Sequence, residues 1–438
     1  MSIVTEIEAL KANLTNAYTS ISAKGGTIPA NKNAQNLSSA IDSITTGGST
    51  PVVEAEKKDI NFYDYDGTRL YSWTLAELAT KTELPALPTQ QGLTCQGWNW
   101  SLAELKEQNT QMNVGAMYIT DDGKTRIYIH LEEARKSPYL KFNTEGQNPS
   151  VEIDWGDGSS IQTVTSASTP ILHEYASGGN YMITLNPLND TEITLVGDTY
   201  GRCLISGNIS RLKSQNRYYA NCLKKVELGK GVKAISNYAF YYSPIETISM
   251  PIGVNLEGTD AFAYSTIKYF TIDGEATWKN SFNNSSLVCI SFPSRNTNWS
   301  DSAFGYAKNL EELYTPKSVP SSSTTRHCIS CEGLKKVIWG LNSINANDFA
   351  SNYSLTSFYC ANDVISIGAD AFYGCYTLKY VTFLFNTIVP TLSASDTFSY
   401  APSDCQIVVP DSLYDEWVQA TNWAALSSQI IKASEWEG

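Results

Sequence analysis

Histidine is scarce in this chain, and its scarcity limits the chemistry that the sequence can support. Only three histidines occur in 438 residues, and His130, His173 and His327 lie in three different segments. No HExxH, GxSxG or P-loop phrase is present, and no cysteine and histidine stand at the spacing of a known catalytic pair. Carboxylates are numerous, but no two stand out as an acid and a base. The sequence therefore predicts no catalytic residue, no enzyme activity and no cofactor, with a glycan-cleaving activity left open as the alternative.

Long apolar runs are also missing. No segment approaches the roughly 18 apolar residues that cross a bilayer. The opening phrase MSIVTEIEALKANLTNAY carries acids where a signal peptide carries Lys or Arg, and it has no continuous apolar core. The pattern predicts neither a membrane span nor an export signal, and it favours a protein that is assembled in the cytoplasm.

Positive charge and framework cysteines are in short supply as well. The 31 basic residues against 44 acidic ones give a net charge of −13, which argues against nucleic acid as a partner. The nine cysteines show no disulfide spacing, so reduced and mostly buried thiols are expected. Cys328 and Cys331 form a lone CxxC with only His327 nearby, and we expect no metal site there.

What the chain does contain is a phrase that repeats about every 22 residues. Apolar residues at the third and fifth positions after each leading residue predict one strand per unit with one buried face. A small residue followed by Phe returns later in seven units. Because a single unit cannot bury its apolar face alone, eight units are expected to stack as a solenoid. The leading residues are Leu223, Ile245, Ile267, Leu287, Leu310, Leu334, Leu355 and Leu378, and the returning ones are Phe240, Phe262, Phe282, Phe304, Phe349, Phe372 and Phe398.

The phrases LKKVELGKGVKAISNYAF and LTSFYCANDVISIGADAFYGC resemble BspA-like leucine-rich repeats over residues 199–402. The unit after Leu310 departs from the pattern, since SVPSSSTTRHCISCE lacks the Ala-Phe pair. We expect a loop or bulge there and a local break in the stack. Residues 403–438 resemble the C-terminal cap of the same family, which implies a last strand and a helix over the open edge.

The N-terminal segment, residues 1–50, carries a heptad seam. Its members are spaced by alternating steps of four and three, which favours either self-association, with a trimer favoured, or packing on the same chain. The following phrase KGGTIPANKNAQNLSSAIDSI resembles the N-terminal segment of tail and fibre proteins from phages and prophages of Gram-positive hosts. That resemblance implies attachment to other virion or tail proteins, and residues 51–57 then form a linker. The seam consists of Ile3, Ile7, Leu10, Leu14, Ala17 and Ile21.

Residues 58–136 are predicted to form a small α/β module. Hairpins are expected at Asp66-Gly67 and, within VGAMYITDDGKTRIYIHL, at Asp122-Gly123. WTLAEL and WSLAEL each read as a helix start with a capping box. Trp98 and Trp100 suit either the module core, which we favour, or sugar stacking. The module resembles one that precedes leucine-rich repeats in phage tail proteins.

Residues 137–198 change to an all-β pattern. VEIDWGDGSS followed by HEYASGGNYMITL resembles a PKD-like immunoglobulin sandwich. Asp154 and Asp157 could ligate calcium, but aspartates in such a turn more often accept hydrogen bonds from backbone N–H groups, which we expect here. No metal is therefore predicted.

The strand residues that point away from the solenoid core are the sequence's candidates for binding. Tyrosine offers a flat apolar face and a hydroxyl, which suits a saccharide or a protein surface, although β-sheets also favour tyrosine through propensity alone. The predicted host-binding row consists of Tyr269, Tyr314, Ile338, Tyr359 and Tyr380.

Together these patterns predict a multidomain, mainly β protein with an N-terminal helical segment, a small α/β module, a PKD-like β-sandwich and a capped leucine-rich-repeat solenoid. The resemblances imply a non-enzymatic phage or prophage tail-associated protein, located on the virion, which attaches through its N-terminus. Two small modules would act as spacers, and the solenoid would bind a host cell-surface glycan or protein. The alternatives are a bacterial cell-surface adhesin and a structural decoration protein without a receptor.

Overall fold

The computed structural model divides the chain into two compact units, Met1–Glu54 and Ala55–Gly438. It describes residues 14, 17–18, 55–165, 170–197, 203–207, 222–276, 279–293, 302–317 and 326–437. In the first unit Leu14, Ala17 and Tyr18 are helical. The other members of the heptad seam, Ile3, Ile7, Leu10 and Ile21, lie outside the described residues, so self-association stays a prediction. No described helix is long and apolar enough to cross a membrane.

The small module is a four-stranded sheet with two short helices. The strands are β1 (Ile60–Tyr63), β2 (Arg69–Trp73), β3 (Leu93–Trp98) and β4 (Met112–Thr120), and the helices are α1 (Leu75–Thr80) and α2 (Leu102–Gln108). The strand order is β2-β1-β4-β3, and β1 and β2 form the predicted hairpin. Both capping boxes are confirmed, because Thr74 and Ser101 accept hydrogen bonds from Glu77 N and Glu104 N while those glutamates bond back to the cap N–H groups.

The second predicted hairpin is wrong. A turn forms where expected, with Gly123 N donating to Thr120 O at 3.1 Å. However, β4 and the next strand, β5 (Thr125–Leu131), join different sheets. β4 is buried along nearly its whole length and takes β1 and β3 as neighbours. The Asp-Gly pair therefore predicted the turn correctly. The strand pairing differs from the prediction because β4 and β5 fill different hydrophobic cores.

A β-sandwich follows, and it shares strands with its neighbours on both sides. One sheet has the order β14-β5-β11-β8-β9, and the facing sheets have the orders β10-β6-β13 and β16-β15-β12-β7. The sandwich therefore takes β5 from the preceding segment and β13 to β16 from the repeats. Its strands are β6 (Pro138–Leu140), β7 (Phe142–Glu145), β8 (Ser150–Asp154), β9 (Gln162–Val164), β10 (Ile171–Leu172), β11 (Gly179–Leu188), β12 (Glu192–Leu195), β13 (Ile205–Gly207), β14 (Leu223–Glu227), β15 (Val232–Ile235) and β16 (Asn255–Leu256).

The repeats build the predicted solenoid of parallel strands. β17 pairs with β18, and a six-stranded sheet runs β19-β20-β22-β24-β26-β27, with a second row β21-β23-β25 behind it. All eight leading residues are fully buried. The strands are β17 (Tyr269–Thr271), β18 (Cys289–Ser291), β19 (Glu312–Tyr314), β20 (Lys336–Trp339), β21 (Ser343–Ile344), β22 (Ser357–Cys360), β23 (Ser366–Ile367), β24 (Tyr380–Thr382), β25 (Thr391–Leu392), β26 (Gln406–Val409) and β27 (Ile430–Lys432).

The returning phenylalanines stack through the interior of the solenoid. The ring centroids of Phe240 and Phe262 lie 4.9 Å apart, and those of Phe262 and Phe282 lie 5.3 Å apart, with nearly parallel planes. The stack resumes between Phe349 and Phe372 and continues to Phe398. Since burying a Phe side chain stabilises a fold by about 1.5 to 3 kcal/mol, this column is a major part of the core.

The predicted break after Leu310 does not occur in the described part of that unit. β19 and β20 pair in register, and the turn ladder continues, with Phe304 N donating to His327 O at 2.8 Å. Cys328 occupies the place of the missing Phe in this ladder, because Cys328 N donates to Asp348 O at 2.9 Å and the Cys328 side chain is fully buried. In the next unit the Trp339 indole lies 5.1 Å from the Phe349 ring and 6.0 Å from the His327 ring. The run 318–325 lies outside the described residues.

The C-terminal cap closes the solenoid as predicted. β26 and β27 extend the parallel sheet, and between them lie two 3-10 turns, Asp411–Leu413 and Ala424–Gln429, and the short helix α3 (Tyr414–Trp417). Trp417 and Trp423 are fully buried against Phe383 and each other. A last 3-10 turn spans Ala433–Glu435. These indoles cover apolar side chains that an open solenoid end would expose.

Candidate binding surface

The predicted tyrosine row does form on the outer face of the solenoid strands. Tyr314 pairs in register with Ile338, and Ile338 pairs with Tyr359. The Tyr359 and Tyr380 rings lie 5.5 Å apart, and their hydroxyl oxygens are within 2.8 Å. The alternation of the strands therefore placed these residues on the correct side of the sheet.

The expected exposure of that row is wrong for Tyr269, Tyr314, Ile338 and Tyr359, because the small module packs against them. Tyr314 and Ile338 are each only 5% exposed and pack in the same apolar cluster as Phe62 and Trp98 of the module. Tyr269 lies so close to Gly67 that a Cβ there would be 2.2 Å from its ring. The outer strand row therefore packs against the module and is largely removed from solvent.

Buried hydrogen bonds fix the position of the module on the strands. The Asn99 side-chain amide donates to Ile272 O and to Ser291 Oγ, both at 3.0 Å, and its Oδ1 accepts from Gly115 N at 2.8 Å. Ser291 Oγ in turn donates to Asn113 O at 2.6 Å. Each of these polar groups is buried and paired, so the contact specifies one docked arrangement.

Backbone contacts extend the docking along the strand face. Tyr118 N donates to Met250 O at 2.9 Å, and Thr120 N donates to Leu228 O at 3.1 Å. Towards the other end of the face, the Gln108 side chain bonds to both backbone groups of Lys317. The expectation that the module is a spacer is therefore wrong, because the module is part of one compact unit with the solenoid.

The return turns on the opposite side carry a different and exposed set of tyrosines. Each turn holds its second residue after the Phe anchor in the left-handed backbone region. Four units place tyrosine there, and three of these side chains are well exposed, Tyr264 at 38%, Tyr306 at 41% and Tyr400 at 62%. The residues at this turn position are Tyr242, Tyr264, Asn284, Tyr306, Ser330, Ser351, Gly374 and Tyr400, with φ between 54° and 73°.

Tyrosine is energetically unfavourable at such a turn position. Gly and Asn adopt the left-handed region readily, whereas a bulky residue there costs on the order of 1 kcal/mol or more. Gly374 and Asn284 show that the same turn is built in this chain without an aromatic side chain. The recurrence of exposed tyrosine therefore has no explanation in the turn geometry itself.

Further tyrosines widen this surface into two aromatic patches. Tyr242 and Tyr264 stack with ring centroids 4.6 Å apart, and Tyr353 and Tyr376 stack at 5.6 Å. Tyr400 contacts both Tyr373 and Tyr376 edge to face. We call this surface the return edge, and define it by Tyr242, Tyr264, Tyr306, Tyr353, Tyr373, Tyr376 and Tyr400. The signal that could have revealed it is tyrosine recurring two positions after the Phe anchor.

The remaining chemical candidates have structural roles. Trp98 and Trp100 are buried in the module core, as favoured. Asp154 Oδ1 accepts from Gly156 N at 2.9 Å and Asp157 Oδ1 from Ser159 N at 3.0 Å, which confirms the turn role expected of these aspartates. A partner for the second Asp157 oxygen is His173 Nε2 at 2.7 Å.

The CxxC segment is a buried part of the solenoid interior. His327 Nδ1 lies 2.9 Å from Asp348 Oδ1, and both side chains are fully buried. Burial raises the pKa of the Cys328 thiol well above its ordinary value, and the neighbouring Cys331 adds to the shift. Among the described residues no group of three or more His, Cys, Asp and Glu side chains is arranged to hold a metal ion.

The stacked strands and Phe turns define a leucine-rich-repeat solenoid. Residues 205–311 and 275–395 match the family described as BspA type Leucine rich repeat region, in six copies. A leucine-rich repeat protein from Bacteroides ovatus ATCC 8483 is 14% identical, over 47% of this chain and 76% of that chain, with a TM-score of 0.18. Pneumococcal vaccine antigen PcpA is 18% identical, over 46% of this chain and 76% of that chain, with a TM-score of 0.20. Both likenesses are too weak to carry an argument. No curated protein matches the chain in sequence.

Proposed function

We propose that this protein is a non-enzymatic binding protein that contacts a host cell surface, a glycan or a protein, through the return edge of its solenoid. The observation that carries the proposal is the recurrence of exposed tyrosine at a left-handed turn position. A residue that is energetically unfavourable in its turn, and that the fold does not require, is best explained by a contact with another molecule. Tyr supplies large, rigid contact area with a polar tip, which suits both ligand classes.

The proposal keeps the binding role that the sequence suggested, but it moves the binding surface from the strand row to the return edge. The row of Tyr269, Tyr314, Ile338 and Tyr359 serves mainly as the seat of the module, so it is not proposed as a free surface. Tyr380 lies at the far end of this row, where it lines an open cleft. The return edge faces away from the strands, and none of its seven tyrosines belongs to the apolar cluster that the module shares with the strand face.

A virion location is the finer part of the proposal. Its support is the likeness of the N-terminal segment, and of the module phrases GWNWSLAEL and YITDDGKTRIYI, to phage and prophage tail proteins of Gram-positive hosts. In this view residues 1–50 attach to other tail proteins and form a homo-oligomer, with a trimer favoured, and the sandwich that contains the 137–198 segment is PKD-like. A bacterial surface adhesin and a decoration protein without a receptor are the alternatives.

The test is the adsorption of fluorescently labelled full-length protein to a panel of Gram-positive cells. We expect the triple variant Tyr264→Asn/Tyr306→Asn/Tyr400→Asn to lose at least tenfold in affinity for any strain that the parent binds. Its melting temperature should hold or rise, because Asn adopts the left-handed region more easily than Tyr. Asn284→Ser, at the same turn position, is the matched control and should bind as the parent does. Undiminished adsorption of the triple variant would refute the return edge as the site.

The attachment segment is tested separately. A chain that begins at Val52 should have a smaller assembly number than the full-length protein in sedimentation or light scattering, because the heptad seam is removed. Equal, monomeric masses for both would count against oligomerisation through this segment. Genes for tail or capsid proteins beside this one would favour the virion over the bacterial surface.

A further inference from the structure

A cleft at the C-terminal end of the solenoid lies just beyond the edge of the docked module. Tyr380 and Gln406 are register partners on neighbouring parallel strands, so their side chains stand next to each other on the outer face. After the last strand the chain turns back through Ala433–Glu435, and the Trp436 indole packs edge to face on Tyr380, with centroids 5.4 Å apart. The cleft that they line with their neighbours has a volume of about 730 Å³.

The walls of this cleft are held in place by the cap. Ser434 N donates to Asp411 Oδ1 at 3.0 Å, and this bond holds the pKa of the Asp411 carboxyl below its ordinary value. On the opposite wall, the Gln429 side-chain amide donates to Pro402 O at 3.1 Å. The aromatic wall is supported by Tyr359, whose hydroxyl is within hydrogen-bond distance of the Tyr380 hydroxyl. The cleft is thus a preformed feature, and its volume is in the range of small-ligand sites.

The charge around the cleft is unbalanced. Asp404, Glu435 and Glu437 line it together with a single cation, Lys379. Among the described residues none of these four side chains forms an ion pair. The uncompensated carboxylates favour a cationic ligand and disfavour an acidic one. The indole and phenol rings add faces that attract both C–H groups and ammonium groups.

We propose that this cleft binds a short cationic glycan, an oligosaccharide of hexosamines with free amino groups. The apolar face of a pyranose ring would lie on Trp436 and Tyr380, its hydroxyls would bond to the Gln406 amide, and its ammonium groups would lie near Asp404 and Glu435. A purely cationic chain would use the carboxylates but not the aromatic faces. A neutral sugar would use the faces but not the carboxylates.

The test is titration calorimetry of the full-length protein with four probes: glucosamine trimer, its N-acetylated counterpart chitotriose, trigalacturonic acid and spermidine. We expect glucosamine trimer to bind at least tenfold more tightly than each of the others. Trp436→Ala should weaken that binding at least tenfold. Glu435→Gln should weaken it several-fold while removing no packing, and Glu416→Gln, on the cap but outside the cleft, should have no effect.

Absence of binding by all four probes would overturn the site. Equal binding of chitotriose or of spermidine, or tighter binding of trigalacturonic acid, would overturn the ligand class. The melting temperature of Trp436→Ala shows whether the cap stays folded. If the cap of that variant unfolds, Glu435→Gln still tests the site, because it removes a charge and no packing. The return-edge triple variant should bind glucosamine trimer like the parent, so failure here and failure of the proposed cell-surface contact are separate results.

Discussion

Replacing Asn99 with Ala should loosen the module from the solenoid more than any other single polar substitution at this contact. Its amide uses both hydrogens and its carbonyl oxygen on partners that are buried. Asn99→Ala leaves the Ile272 carbonyl and the Gly115 N–H without these bonds. An unsatisfied buried group costs about 1 to 3 kcal/mol, so the docked state should lose about 3 kcal/mol in total.

The loss is best measured at amides that bridge the two parts, because a multidomain chain has no single free energy of unfolding. Tyr118 N–H and Thr120 N–H donate across the contact to Met250 and Leu228. A loss of about 3 kcal/mol should speed their hydrogen exchange by about 100-fold, since each 1.4 kcal/mol is a factor of ten.

Asn352→Ala is the matched control. Asn352 is also a fully buried asparagine, and its amide donates to Cys328 O and Phe349 O inside the solenoid, away from the module. Its loss should leave the Tyr118 and Thr120 exchange rates within about threefold of the parent, on the usual independence of distant sites. If Asn99→Ala leaves those rates equally unchanged, the docking described for this contact is wrong.

Three further outcomes test packing and charge. Gly115→Ala should destabilise docking by about 1 to 3 kcal/mol in the same exchange experiment, because the new Cβ would lie 2.0 Å from Thr271 Oγ1. Adding Thr271→Gly to the same chain should recover part of that loss. Cys328→Phe should lower the melting temperature although it restores the repeat pattern, because the Cys328 side chain is fully buried and a larger residue would overpack the interior, and an unchanged value would contradict this reasoning. Although partial burial works against ionisation, hydrogen bonds from Ser159 and His173 hold the pKa of Asp157 at about 2. Because the folded pKa is depressed, this stabilisation is present above about pH 4 and is lost as the pH falls through 2; acid titration of Asp157→Asn should lack that step, and an identical acid profile would refute it.

Much of the solenoid could be predicted because each signal is local and repeated. The leading residues and the Phe anchors fix which side chains point inward, and repetition over eight units makes the register redundant. Even the unit after Leu310 follows the rule once Cys328 is placed at the anchor. A search for the Ala-Phe pair alone could not show this, because Cys328 holds the anchor position with a different residue type.

The cover over the strand face could not be predicted in the same way. Alternation along a strand says which side chains leave the solenoid core, but it does not say whether another part of the chain packs on them. Gly67 and Gly115 were the available clues, since a strand or turn glycine often marks a close approach. Their partners, Tyr269 and Thr271, are more than 150 residues away in the sequence. A contact between residues so far apart produces no pattern in the local sequence.

The covered strand face also explains why the exposed aromatic residues gather where they do. With the module seated on the outer row, the return edge and the Trp436 cleft are aromatic surfaces that stay accessible in the described part of the solenoid. Stacked tyrosines of neighbouring units, such as Tyr242 and Tyr264 at 4.6 Å, follow the spacing of adjacent strands of about 4.8 Å. The return edge can therefore offer one ligand several similar contacts in a row. Weak contacts that act together gain affinity without any deep pocket. A shallow, repeated edge suits a polymeric or crowded cell surface better than a single small molecule, whereas the cleft, with its preformed volume and uncompensated carboxylates, suits a short and specific ligand.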